Sequence, residues 1–180
     1  MLTIYTIGHS AHPIQEFIRL LQAYQIETLV DVRSAPVSRF HPQYNKAALQ
    51  KVLLDNRVEY IFAGQQLGGR PSDPTCYEPE AFVDKRNKHP KANFPEMMKR
   101  AWFRQGIDDL IGQMNQGITV ILCSEEDPLR CHRHALIAKY LKDVSPGIDV
   151  QHIRRNGTLV SAAELFEANE KQPPEQLSYL

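Results

Sequence analysis

The residues best equipped for chemistry fall in three short segments. Between Cys123 and Arg133 the chain carries Cys123, Glu125, Glu126, Asp127, Arg130, Cys131, His132 and Arg133. His9 and Ser10 follow Gly8, and Asp31 stands two residues before Arg33. Cys131 lies beside an imidazole and two guanidinium groups where a helix is expected to begin. Such surroundings favour a thiolate, so Cys131 reads as a nucleophile or redox residue. The free N–H groups of that helix start, with Arg130, His132 and Arg133, would equally hold a phosphate, sulfate or carboxylate. A small packing residue at a helix start is the third reading. Cys123 ends an apolar run and is expected to be buried, with a resolving role only if the loop folds back. Cys76 sits in a Pro-rich loop and reads as incidental.

His9 has the intrinsic pKa of a general acid or base. Asp31 either orients His9 or pairs with Arg33. Glu125 enters a crevice where loss of water would raise its pKa, or it complements the helix dipole. The expected catalytic set is therefore Cys131, His9, Glu125 and Asp31. Ser10, Arg33, Gly68, Gly69, Arg130, His132 and Arg133 are the expected substrate contacts.

Several chemistries are disfavoured. Cys123, Cys131, His132 and His134 are all ligand types, but their spacing fits no paired-ligand zinc pattern, so no metal is expected. Gly68-Gly69-Arg70 lacks the Gly-x-x-x-x-Gly-Lys-Ser/Thr phosphate loop, and no Gly-x-Gly-x-x-Gly follows a strand. P-loop hydrolysis and a dinucleotide cofactor are accordingly set aside, and no cofactor is expected. The two glycines read as a flexible loop over the crevice.

The elements that must position these groups alternate. Thr3 to Ile7, Thr28 to Val32, Val58 to Ala63 and Ile118 to Cys123 read as strands. Helices are expected over Pro13 to Gln22, after an Asn45 cap through Leu53, from Pro95 to Asn115 with a break at Gly106, and over Arg133 to Leu141. Val150 to Ile153 and Leu159 to Val160 flank Asn156-Gly157, a hairpin signal. The expected fold class is α/β: a three-layer, mostly parallel open sheet of about five strands, helices on both faces and a C-terminal β-hairpin. Residues 1–171 read as one domain and 172–180 as a flexible tail. In such sheets ligands bind beyond the carboxyl ends of the strands, and all three polar segments directly follow an apolar strand.

Composition narrows the class further. Hydrophobic residues make up 42% and charged residues 23%, ordinary globular usage. Twenty-one basic and 21 acidic side chains cancel, so overall charge marks no nucleic-acid binder. Locally, Lys85, Arg86, Lys88, Lys91, Lys99, Arg100 and Arg104 face Glu96 alone, with Phe94, Trp102 and Phe103 as stacking candidates. A solvated face competes with a nucleic-acid surface there. Few cysteines, no charged leader and no membrane-length apolar run lead to the expectation of a cytoplasmic protein.

Thr6-Ile7-Gly8-His9-Ser10, Asp31-Val32-Arg33 with Pro36 and Ser38, Leu67-Gly68-Gly69, and Cys123-Ser124-Glu125 through Cys131-His132-Arg133 together resemble the domain of unknown function 488 (DUF488) family, over roughly Thr3 to Leu159. The resemblance implies a compact bacterial or archaeal α/β protein and supplies no activity. A looser similarity links the Cys-bearing strand-to-helix loop and Asp31-Val32-Arg33 to rhodanese-like and cysteine-phosphatase folds. Here, however, Cys123 lies seven positions before Arg130, and Cys131 is already at the helix start. Three readings follow: an enzyme using a Cys/His centre on an anionic small molecule or nucleotide-like substrate, a nucleotide- or nucleic-acid-binding module, and a regulatory interaction domain.

Overall fold

The computed structural model describes residues 2–79 and 90–171. Its centre is a six-stranded sheet: β1 (Leu2–Gly8), β2 (Thr28–Asp31), β3 (Glu59–Phe62), β4 (Thr119–Cys123), β5 (Ile148–Ile153) and β6 (Leu159–Ser161). The spatial order is β3-β2-β4-β1-β5-β6. All neighbours are parallel except β5 and β6, the expected C-terminal hairpin. Its turn passes through Gly157 at φ 83, a left-handed conformation that glycine adopts without a Cβ penalty. The expected α/β class is what the chain adopts.

Side-chain alternation along the central strands divides the core in two. Ile7, Leu29, Val120 and Leu122 face α1 (Ile14–Ala23) and α2 (Lys46–Asp55), which contribute Phe17, Leu21, Leu49 and Leu53. Ile4, Val30, Ile121 and Cys123 face the other way. There they meet Phe103, Ile107 and Leu110 of α5 (Ala101–Met114), then Leu136 and Ile137 of a π-helical segment (Arg133–Ala138), then Leu141 of α6 (Lys139–Val144). The polypeptide leaves β1 toward one face and β4 toward the other, and these two strands are neighbours. Their carboxyl ends are the switch point at which open α/β sheets form a ligand crevice.

The remaining helices are α3 (Gly64–Leu67), α4 (Phe94–Met98) and α7 (Ala162–Glu170). The expected Pro95–Asn115 helix is two helices, α4 and α5, parted at Lys99–Arg100 rather than at Gly106. Gly106 continues α5 because it lies against Gln66 and Leu67, where a Cβ would come within 2.5 Å of Gln66 Cβ. Arg100 breaks the run: its backbone is extended (ψ 139), and its side chain turns back to Cys76 and Thr75. Asn45 precedes α2 without capping it. Its Oδ1 instead accepts from Ser38 N at 2.6 Å, closing the loop after β2. The expected tail, 172–180, lies outside the described residues, within which no helix is long and apolar enough to cross a membrane.

Candidate functional site

The ends of β1 and β4 are held tightly together. Gly8 pairs with Cys123 in register. His9 N donates to Cys123 O at 3.0 Å and Ser10 N to Ser124 O at 2.8 Å. A Cβ on Gly8 would lie 1.7 Å from the Glu125 carbonyl oxygen, so only glycine lets the β4 loop cross here. Ser10 turns the chain at φ 41, in the left-handed region. Val32 N, just past β2, donates to Leu122 O at 3.1 Å and brings the third segment alongside.

Two cavities open above these ends. One, about 280 Å³, is lined by Cys123, Cys131, His132, Gly69, Arg70 and Arg130 among others. The second, about 310 Å³, is lined by His9, Ser10, Ser38 and His41 among others. Arg33, Ala35, Ser124 and Glu125 line both, so the two are lobes of one crevice with Arg33 on its dividing wall.

Arg33 is fixed by a buried fork. Its Nε donates to Asp31 Oδ1 at 2.8 Å and its Nη2 to Asp31 Oδ2 at 2.6 Å, while the Arg33 backbone N also donates to Oδ1. Tyr60 OH completes the set on Oδ2 at 2.8 Å. Burial, and the Asp31 charge beside it, push the Tyr60 hydroxyl up, so it stays a donor. Asp31 is fully buried and its two oxygens accept four hydrogen bonds; it positions Arg33 and has no lone pair turned to the crevice. Arg33 Nη1 makes no hydrogen bond among the described residues, and Arg33 lines both lobes.

The sulfur lobe is built from both ends of the β4 loop. Cys123 and Cys131 are buried, with 3% and 4% exposure. His132 Nδ1 lies 3.6 Å from Cys123 Sγ and 3.9 Å from Cys131 Sγ. Its Nε2 faces the Val32 carbonyl at 3.2 Å, and because a carbonyl only accepts, Nε2 carries the proton and Nδ1 a lone pair. The Cys123 thiol donates to Glu125 Oε2 at 3.3 Å. The Cys131 thiol is pushed well up by its hydrogen bond to Cys123 and by burial, which His132 only partly offsets. Proximity to a helix start therefore does not make Cys131 a ready thiolate. Glu125 also departs from expectation. The protein beneath it pushes its carboxyl up, but hydrogen bonds from its own backbone N–H and the two thiols, with His132 nearby, hold it below the usual carboxylate range. It is an ionised group at the crevice mouth.

In the other lobe His9 stacks on Tyr44, ring centroids 4.3 Å apart, and its Nδ1 donates to Ser10 O at 2.9 Å. Burial, opposed by that bond and reinforced by the Arg33 charge, lowers its pKa to about 4. His9 is thus neutral at physiological pH, with Nε2 as its basic nitrogen.

Not every expected residue reaches the crevice. Arg133 is fully buried beneath the loop, where its guanidinium donates to the carbonyls of Glu125 and Glu126; it braces the crevice floor. Gly68 is buried against Ser34, and a Cβ on Gly69 would meet the His132 ring at 2.9 Å. These glycines allow close packing beside the site and form no loose lid. Lys85, Arg86 and Lys88 lie outside the described residues. Lys91 and Lys99 pair with Glu78 and Glu96, Arg100 with Asp73, and Arg104 donates to the carbonyls of Met98 and Lys99. Phe103 is fully buried, and Phe94 and Trp102 pack on the same core.

Sequence reasoning missed Tyr60, Tyr44, Arg70 and His41. The one legible signal was Tyr60, a hydroxyl-bearing aromatic on the strand paired with β2. The others reach the site from loops or neighbouring elements.

Fold and site define an α/β protein with a polar, arginine-walled crevice at the carboxyl edge of a largely parallel sheet. Residues 13–141 match the family described as Domain of unknown function DUF488, and the chain belongs to it. No curated protein and no solved structure gives a significant match.

Proposed function

We propose that the chain is an enzyme that binds an anionic, phosphate- or nucleotide-like substrate in this crevice and acts on it through the Cys/His centre of Cys131 and His132. The observation that carries the reading is Arg33. A guanidinium 4% exposed, aligned by a carboxylate and a tyrosine on the wall shared by two cavities, has the form of a preorganised anion holder. Arg70 and Arg130, on the same lobe, add positive charge at its rim. Neutral His9, beyond Arg33 in the second lobe, serves as general base. Three free cysteines support a reducing, cytoplasmic setting.

Calorimetric titration with inorganic phosphate and with nucleoside monophosphates, followed by a phosphomonoester turnover assay, tests this. Saturable binding that weakens with salt, and at least tenfold with Arg33→Lys, is expected, because lysine lacks the planar fork. Turnover lost in His9→Gln with binding kept separates an enzyme from a binding module. Wild-type protein that binds none of these anions refutes the proposal.

A further inference from the structure

We infer that Cys123, Cys131 and His132 form a zinc site in the wall of the crevice, with a fourth coordination position open to it. This deepens the enzyme reading by naming the Cys/His centre, yet the metal site stands on its own geometry. The ligand atoms of the three residues all lie within 4.8 Å of one another. Tetrahedral zinc, with Zn–S of about 2.3 Å and Zn–N of about 2.0–2.1 Å, has S···S and S···N edges of about 3.8 and 3.5 Å. The observed Sγ···Nδ1 separations are 3.6 and 3.9 Å. Closing the triangle on an ion requires side-chain movements of no more than about 1 Å.

The surroundings have the form of a metal's outer shell. A ligating imidazole ordinarily gives its other N–H to a carbonyl or carboxylate, which fixes the tautomer and aims the lone pair. His132 Nε2 does this on Val32 O, leaving Nδ1 toward both sulfurs. Gly69 lies against the His132 side chain, where a Cβ would come within 2.9 Å of Nδ1. Glu125 Oε2, 3.3 Å from Cys123 Sγ, stands beside the three ligands without joining them, and the fourth position is left to water or a substrate oxygen. The π-helical segment begins directly after His132, and such segments recur where a helix is adjusted around a functional group. Two thiolates and an imidazole select zinc over magnesium or calcium, and three protein ligands with one open position is the pattern of catalytic zinc. Binding releases two thiol protons to solvent, while His132 donates its lone pair without losing a proton.

The test loads the full chain with zinc chloride or cobalt(II) chloride under reducing conditions, dialyses it and measures bound metal. One zinc per chain is expected. The cobalt form should show thiolate-to-metal charge transfer and tetrahedral visible bands, and zinc should slow alkylation of Cys123 and Cys131 relative to the zinc-free protein, Cys76 being fully buried in both. Cys123→Ser, Cys131→Ser and His132→Gln should each lower retention at least tenfold, whereas Cys76→Ser should not; circular dichroism verifies folding. If a ligand variant fails to fold, thiol protection in the wild type decides. No retained metal, alkylation of Cys123 and Cys131 unchanged by zinc, or retention unaffected by folded Cys123 and Cys131 variants overturns the inference. Metal kept in Arg33→Lys while phosphate binding is lost separates the two: failure of metal binding leaves the anion site standing, and the reverse also holds.

Discussion

Asp31→Asn is the sharpest perturbation of the crevice. The carboxylate accepts from Arg33 N at 3.1 Å, Arg33 Nε at 2.8 Å, Arg33 Nη2 at 2.6 Å and Tyr60 OH at 2.8 Å. Asparagine keeps the shape but offers one acceptor oxygen. In the Oδ2 place its amide nitrogen would face Arg33 Nη2, which can only donate. The guanidinium then stays buried without a counter-charge, at a cost of about 3–5 kcal/mol. For a chain of this size that lowers Tm by roughly 6–20 °C. Tyr60→Phe removes one hydrogen bond to a charged group and should cost about 1.5–3 kcal/mol. The double variant Asp31→Leu with Arg33→Met removes both charges and should regain most of the stability, because a desolvated ion pair contributes little net over apolar groups of similar volume. It should bind no phosphate. Urea unfolding of the wild type and the three variants, each also titrated with phosphate, measures every quantity. An Asp31→Asn protein within about 1 kcal/mol of wild type and with unchanged phosphate affinity would refute the clamp.

Other outcomes follow from the same geometry. Gly8→Ala should destabilise by about 3 kcal/mol or more in urea unfolding, since the new methyl group meets the Glu125 carbonyl oxygen at 1.7 Å and backbone must move. Gly69→Ala should leave the fold intact but turn the His132 ring, weakening zinc retention about 10–100-fold. His152 is fully buried, with its pKa lowered to about 3 by burial first and by Arg133 second, and neighbouring His134 is lowered to about 4. Between those values and the ordinary 6.5 the unfolded chain holds protons that the folded chain refuses. Their contribution is therefore complete above about pH 6.5 and is lost on acidification, at up to about 1.4 kcal/mol per pH unit and histidine. Urea midpoints from pH 7 down to 4 should show that slope, and His152→Gln should flatten it; a pH-independent midpoint contradicts the burial argument.

The strands were legible from short apolar, β-branched runs such as Thr3 to Ile7. The hairpin followed from Asn156-Gly157. The placing of His9, Arg33 and Cys131 at strand ends followed from the architecture. What sequence spacing could not convey was the third dimension of each contact. Cys123 and Cys131 belong to opposite ends of one loop, so no short-range pattern announces that His132 reaches both. Gly68 and Gly69 read as a flexible loop over the crevice, whereas their missing side chains make room for Ser34 and His132. Arg133 looked like an anion holder, but its neighbours' carbonyls claim it. Of the two readings of Glu125, a carboxyl raised by burial or an acid at the helix entry, the first fails, because its own backbone N–H and thiols that only the fold brings near lower it.

The most direct test is a crystal structure of the protein soaked with phosphate or a nucleoside monophosphate. Phosphate density is expected within hydrogen-bond distance of the Arg33 guanidinium, between His9 and the Cys123–Cys131–His132 cluster. Density instead in the open groove lined by Arg154, Arg155 and Asn156, or none at Arg33 under saturating ligand, would contradict it.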